Sequence, residues 1–225
     1  QIVNKTKDIS SNYVILTYNS YKLPEELIKV INNYQSKFQD LESIGMSVEN
    51  EIYNVVDQND RVVGTASRKH IHENKLLHRS IHIFVFNSRK ELFLQKRALC
   101  KDENPGLWDT SSAGHVDAGE TYDVCAHREL WEELGLTANL KTSIKIPACQ
   151  ETYWEHVQAY SCISDAEIRI NPAEISEGAF FSLSHIRKEM SLNPTQFTSS
   201  FKMLFDRIRN IKNISLNEIE LENIF

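Results

Sequence analysis

Apolar and polar positions change period several times along the chain. After a polar opening of 22 residues with one β-prone run, Tyr13-Val14-Ile15-Leu16, Pro24 introduces a helical pattern. In it Leu27, Val30, Ile31, Tyr34, Phe38 and Leu41 recur at steps of three and four, giving one apolar stripe. From Glu51 the pattern is that of strands. Ile52 to Asp57 and Arg61 to Gly64 flank a polar turn at Gln58-Asn59-Asp60. Ser80 to Asn87 is apolar at most positions, as a buried strand would be, and Glu91 to Gln95 follows the Ser88-Arg89-Lys90 turn as another. Leu140 to Ile146 and Glu151 to Ile163 are further strand candidates. Asn171-Pro172 breaks the pattern, Ala179-Phe180-Phe181 resumes it, and Phe197, Phe201, Leu204, Phe205 and Ile208 mark a last helix. The acidic tail beyond Asn213 is expected to be peripheral.

Between these elements lies Gly114 to Leu136, in which a loop ending at Gly119-Glu120 runs into a helix carrying Glu129, Glu132 and Glu133. At 100° per residue the three carboxylates share an arc of roughly 100°. Two such charges about 6 Å apart at an effective dielectric near 20 repel by roughly 3 kcal/mol. A divalent cation offsets that cost, and hard oxygen ligands favour Mg²⁺ or Mn²⁺ over zinc; the alternative is a solvated acidic face. Ala126, Leu130 and Leu134, at i, i+4 and i+8, give the same helix a buried stripe, and Gly135 stands where a terminating glycine belongs. Glu120 is expected at the helix start, favoured there by the dipole. Upstream, Lys96 and Arg97 open a basic and polar loop reaching Pro105-Gly106, whose cations either hold substrate phosphates or are solvated.

Composition narrows the picture. The 225 residues, 41% hydrophobic and 25% charged, are those of an ordinary soluble globular protein, and one domain core is expected, with no run apolar enough to span a membrane. The net charge of −6 argues against nucleic acid as the main partner. Cys100, Cys125, Cys149 and Cys162 show no C-x-x-C spacing, so free thiols are expected. The first twenty residues hold Lys5, Lys7 and Asp8 without a continuous apolar run, so no secretory signal is read and a cytoplasmic location is expected, although the chain begins at Gln1.

Gly114, five residues, Glu120, seven residues, then Arg128-Glu129-Leu130-x-Glu132-Glu133-x-Gly135-Leu136 fills every position of the Nudix box, and the chain resembles the Nudix hydrolase family here. The resemblance implies the Nudix fold, a mixed β-sheet in an α/β/α sandwich with helical N- and C-terminal additions. It divides the chain into an extension (1–50), a Nudix domain (51–190) and a C-terminal helix and tail (191–225) packed on it. It further implies that Glu129, Glu132, Glu133 and Gly114 form a Mg²⁺ site, with Mn²⁺ as a substitute. Arg128 would orient a carboxylate, with Glu120 its partner. Glu133 is the first choice for general base, with Glu155, Glu174 and Glu177 as other candidates. The expected reaction is hydrolysis of a diphosphate bond in a small molecule, such as a nucleoside diphosphate linked to another group; a diphosphate-binding module without catalysis is the non-enzyme alternative. A homodimer is common in the family.

Over residues 51 to 185 the chain looks like the Nudix branch that includes type I isopentenyl-diphosphate isomerases, through Leu76-Leu77-His78-Arg79, Phe84-Val85-Phe86-Asn87 and Leu92 to Arg97. That branch offers a rival reaction, proton transfer across an alkene. Its essential cysteine stands immediately before the glycine of the Gly-His pair, and here that residue is Ala113, whose methyl group transfers no proton. His78, His115 and Glu155 match positions that hold a metal in that family, while the remaining upstream histidine falls at Ile71, between His70 and His72. His115 is also a candidate substrate contact. Trp108, Tyr153, Trp154 and Phe180 either stack on a substrate base or serve the core.

Overall fold

In the computed structural model the residues described are 51–211, with side chains described to residue 208; the helical pattern of residues 24–41 and the acidic tail lie outside them. Two strands, β1 (Ile52–Val56) and β2 (Val62–Ser67), pair antiparallel as a separate hairpin. The main sheet has seven strands and is built around β3 (His78–Phe86), with β4 (Leu92–Arg97), β5 (Trp108–Asp109), β6 (Ser112–His115), β7 (Lys141–Ile146), β8 (Glu155–Ile163) and β9 (Ile175–Phe181).

β3 is buried along almost its whole length because it has neighbours on both edges. On one edge it runs parallel to β8 in unbroken register, from His78 opposite Glu155 to Phe86 opposite Ile163. Its other edge is divided. Phe86 pairs with Leu92 of β4, whereas Ser80 to Ile83 pair antiparallel with His115 to Ser112 of β6. β4 pairs in turn with β5 and β9.

Alternation along β3 sends its side chains into two cores. Ile81, Ile83 and Val85 pack with Leu130 and Leu134 of α2 (Tyr122–Leu134), together with Tyr160 and Cys162 of β8. Phe84 and Phe86 pack on the other face with Val157, Ala159, Ile186 of α3 (Leu183–Leu192) and Phe201 and Leu204 of α4 (Ser199–Ile211). The result is the expected mixed sheet between helical layers. Phe201 and Leu204 are completely buried, so the C-terminal helix forms part of a core.

Several boundaries differ from the sequence expectation. A short helix, α1 (Arg68–Asn74), follows β2, and α3 follows β9. Each buries one residue, Ile71 or Ile186, too few to print a helical stripe. Their cues are serine caps: Ser67 accepts from His70 N–H and Ser182 from His185 N–H. β8 begins at Glu155, because residues 149–154 form a tight turn with Tyr153 and Trp154 at φ of 54° and 68°. β9 starts earlier than the Ala179-Phe180-Phe181 signal, because the buried Ile175 is followed by the polar, exposed Ser176 and Glu177. The four cysteines are free thiols, and no described helix is long and apolar enough to cross a membrane.

Candidate functional site

Two clusters of polar side chains adjoin at β6, one on each of its faces. The first is carried by α2. Thr121 caps this helix, accepting from Val124 N–H at 3.3 Å, and Gly135 ends it at φ 63°. The apolar stripe Ala126, Leu130 and Leu134 seats the helix on the sheet, and the acidic face is drawn toward β6. Gly114 is required by contact: a Cβ there would lie 2.0 Å from Glu129 Oε1.

Arg128 organises the carboxylates. Its Nε and one terminal nitrogen donate to the two oxygens of Glu120 at 2.9 and 3.0 Å. The other terminal nitrogen reaches Glu129 Oε1 at 2.7 Å and Glu132 Oε2 at 3.1 Å. A further bond runs to the carbonyl of His115 at 3.1 Å. Glu120 is therefore not a first-turn residue stabilised by the dipole. It lies ahead of the Thr121 cap with its carboxylate buried, held by the guanidinium and by Asp117 N–H at 3.1 Å. An arginine fork suits this role because it satisfies several acceptors at fixed angles.

Glu133 lies deepest of the three box carboxylates. Its Oε2 accepts from Ala113 N–H at 3.0 Å and from Gln95 Nε2 at 3.3 Å. Burial pushes its carboxyl up to about 7; the negative charge of Glu174 adds to the rise, while Ala113 N–H and Arg97 oppose it. Glu129 is also raised, by burial and then by Glu133 and Glu132, against the pull of Arg128. Glu132 is raised by burial. These crowded carboxylates resist full ionisation, the condition a divalent cation relieves.

On the opposite face of β6, His72, His78 and His115 each bring a ring nitrogen to within 4.8 Å of the others. Glu155 joins them, its Oε1 lying 3.0 Å from His115 Nε2 and 3.5 Å from His78 Nε2. His78 Nδ1–H donates to Leu76 O at 2.9 Å, and His72 Nδ1 meets Glu103 Oε1 at 2.9 Å. The Nε2 atoms of His72 and His78 are buried without a hydrogen-bond partner. Tyr53 of β1 stacks on His115 with ring centroids 4.9 Å apart. Burial disfavours ionisation of Glu155, yet His115 and His78 outweigh it and hold its carboxyl well below the usual range. His115 is held low, chiefly by burial. The third imidazole comes from His72: Ile71 is fully buried, and His70 is exposed and bonded to Asn74.

The other candidates are dispersed. Glu155 belongs to the imidazole cluster, Glu174 pairs with Lys101, and Glu177 lies 3.6 Å from Lys96. Lys96 also lies over Trp108, while Arg97 sits 3.9 Å from Asp109 and donates to the carbonyl of Glu103 at 3.0 Å. Trp108 and Phe180 meet Phe181 and Phe93 edge-on, as core aromatics do. Tyr153 donates to Asn104 at 2.9 Å, and Trp154 is partly exposed. Gln95 and Glu103 were not singled out by sequence. The only trace of Gln95 is a polar residue in a buried strand, and nothing local marks Glu103.

A model of the NUDIX domain matches residues 76–201. The chain is 35% identical over 159 residues to an isopentenyl-diphosphate Delta-isomerase of Pectobacterium atrosepticum, covering 68% of this chain and 89% of that protein. It is 38% identical over 138 residues to an uncharacterized Nudix hydrolase of Pseudomonas aeruginosa, covering 61% of this chain and 79% of that protein. Among solved structures, DR0079 from Deinococcus radiodurans matches with a TM-score of 0.63 at 25% identity, over 70% of this chain and 99% of its own.

Proposed function

Because the chain belongs to the Nudix family, we propose that it is a metal-dependent hydrolase of a diphosphate bond in a small molecule. The observation that carries this reading is the paired role of β6. Ala113 offers its backbone N–H to Glu133 at 3.0 Å, and its side chain is a methyl group where proton transfer across an alkene would need an acid.

The residues present fit the metals implied. Glu129, Glu132 and Glu133 supply hard oxygens suited to Mg²⁺ or Mn²⁺. His72, His78, His115 and Glu155 form a nitrogen-rich set, with two buried imidazole nitrogens lacking any donor, as suits a softer divalent ion. Bound there, such cations would neutralise diphosphate charge and acidify a water. The chain's own contributions follow from its geometry. Arg128 holds Glu120, Glu129 and Glu132 in one array, so the acidic face is set before substrate arrives. Glu133, buried and held in place by Ala113 N–H and Gln95, would accept the proton of the attacking water. Lys96, partly exposed and paired only loosely with Glu177, is available to a phosphoryl oxygen.

A second reading, an isomerase-like enzyme, is favoured by the imidazole cluster and by the names of several relatives. The two separate in one experiment. The protein is incubated with Mg²⁺ or Mn²⁺ and nucleoside diphosphate derivatives, dinucleotides or isopentenyl diphosphate, and products are identified by mass spectrometry and NMR. Cleavage at a diphosphate bond is expected, and isomerisation of isopentenyl diphosphate without any cleavage overturns the hydrolase reading.

A further inference from the structure

We propose that Glu103 is a positioning residue for the imidazole cluster: it fixes the orientation of His72 and so couples the loop between β4 and β5 to metal binding. This rests on the reading that His72, His78, His115 and Glu155 hold a divalent metal.

The geometry begins on α1. Arg68 and His72 are four residues apart, so they share one face of this short helix. They meet two consecutive residues of the loop: Arg68 pairs with Asp102, and His72 Nδ1 lies 2.9 Å from Glu103 Oε1. A neutral imidazole has one N–H. Since a carboxylate only accepts, that proton sits on Nδ1, and Nε2 presents its lone pair toward His78 and His115. Among the described residues His72 Nε2 is buried with no hydrogen-bond partner, so the hydrogen bond that fixes the ring's tautomer is the one to Glu103, while the His78 and His115 rings pack beside it. A carboxylate on the far nitrogen also makes the ligating nitrogen more basic.

Glu103 is itself braced from two directions. Its carbonyl accepts from Arg97 Nε at 3.0 Å, anchoring it to the end of β4. The next residue, Asn104, accepts from the Tyr153 hydroxyl at 2.9 Å, and Tyr153 lies in the turn leading into Glu155 at the start of β8. One loop thus spans the element that carries His72 and the turn that delivers Glu155. Occupancy of the cluster and order in loop 98–107 are linked through Glu103, as any differential interaction must be in both directions.

The test uses the full chain, stripped with a chelator and titrated with Zn²⁺ against a chromophoric competitor. His115→Ala identifies the class of sites belonging to the imidazole cluster. Glu103→Ala is expected to weaken that class by about 10- to 100-fold, and Glu103→Gln to restore most of the loss, since an amide oxygen still accepts from Nδ1–H. In the metal-free protein, histidine ¹⁵N spectra are expected to show His72 as the Nδ1–H tautomer in the wild type and as a mixture in Glu103→Ala, with an unchanged urea midpoint. Wild-type affinity in Glu103→Ala, or equal losses in both variants, overturns the proposal while leaving the metal site standing. A wild-type protein with no Zn²⁺ class sensitive to His115→Ala overturns the metal reading, and this proposal with it.

Discussion

Replacing Glu133 by glutamine should stabilise the metal-free protein at high pH and do nothing of the kind at low pH. The carboxyl of Glu133 is raised from 4.5 to about 7 by burial. A carboxyl with a raised folded value contributes stability that is fully present below about 4.5 and is lost as the pH climbs through about 7. The difference of roughly 2.5 units, at about 1.4 kcal/mol per unit, amounts to about 3 kcal/mol. Glutamine resembles the protonated side chain: its oxygen still takes the N–H groups of Ala113 and Gln95, and it has no charge to lose. Urea unfolding of both proteins in excess chelator, at pH 4.5 and pH 8, measures the difference. Relative to wild type, Glu133→Gln should gain about 3 kcal/mol between those two conditions. A gain independent of pH would show that Glu133 ionises normally in the folded protein, and the desolvation argument would be wrong. With Mg²⁺ present the order should reverse, because the metal restores the wild type and not the variant.

Two other substitutions test the site and the fold around it. Gly114→Ala places a Cβ 2.0 Å from Glu129 Oε1, so that carboxylate must move. Turnover should fall on the order of 100-fold with the circular dichroism spectrum unchanged, and wild-type turnover would refute the close approach. Phe201→Ala empties a fully buried position between α4 and the sheet, for an expected loss of about 3–5 kcal/mol in urea unfolding. A loss under 1 kcal/mol would mean that α4 is an appendage after all.

The parts of the molecule legible in sequence were those whose signal is local. Strand β3 announces itself because nearly every side chain is buried, and α2 because a complete motif and an apolar stripe lie on one helix. Helices α1 and α3 were hidden because each buries a single residue, leaving only a serine cap to read. The start of β8 was missed because polar and aromatic residues of the preceding turn resemble strand composition until the positive φ values of Tyr153 and Trp154 are seen. At the site, Glu129, Glu132 and Glu133 were found from spacing, since one helix holds them all. The imidazole cluster draws on α1, β3, β6 and β8, which only the tertiary fold assembles. That is why the sequence left Ile71 in a position that His72 fills, and why Glu103, in a loop with no periodicity, left no trace.

Strand β6 has only four residues, yet it serves both clusters: Gly114 yields to Glu129, Ala113 N–H holds Glu133, and His115 turns the other way to meet Glu155. Slipping β6 by one residue against β3 would exchange the faces, sending the imidazole toward the helix and the glycine's open space toward the histidines. Insertions and deletions are therefore barred between Ser112 and His115, and whatever chemistry each face performs must be inherited as one unit. A relative can trade Ala113 for another side chain and alter one face, but it cannot lengthen this strand without dismantling both.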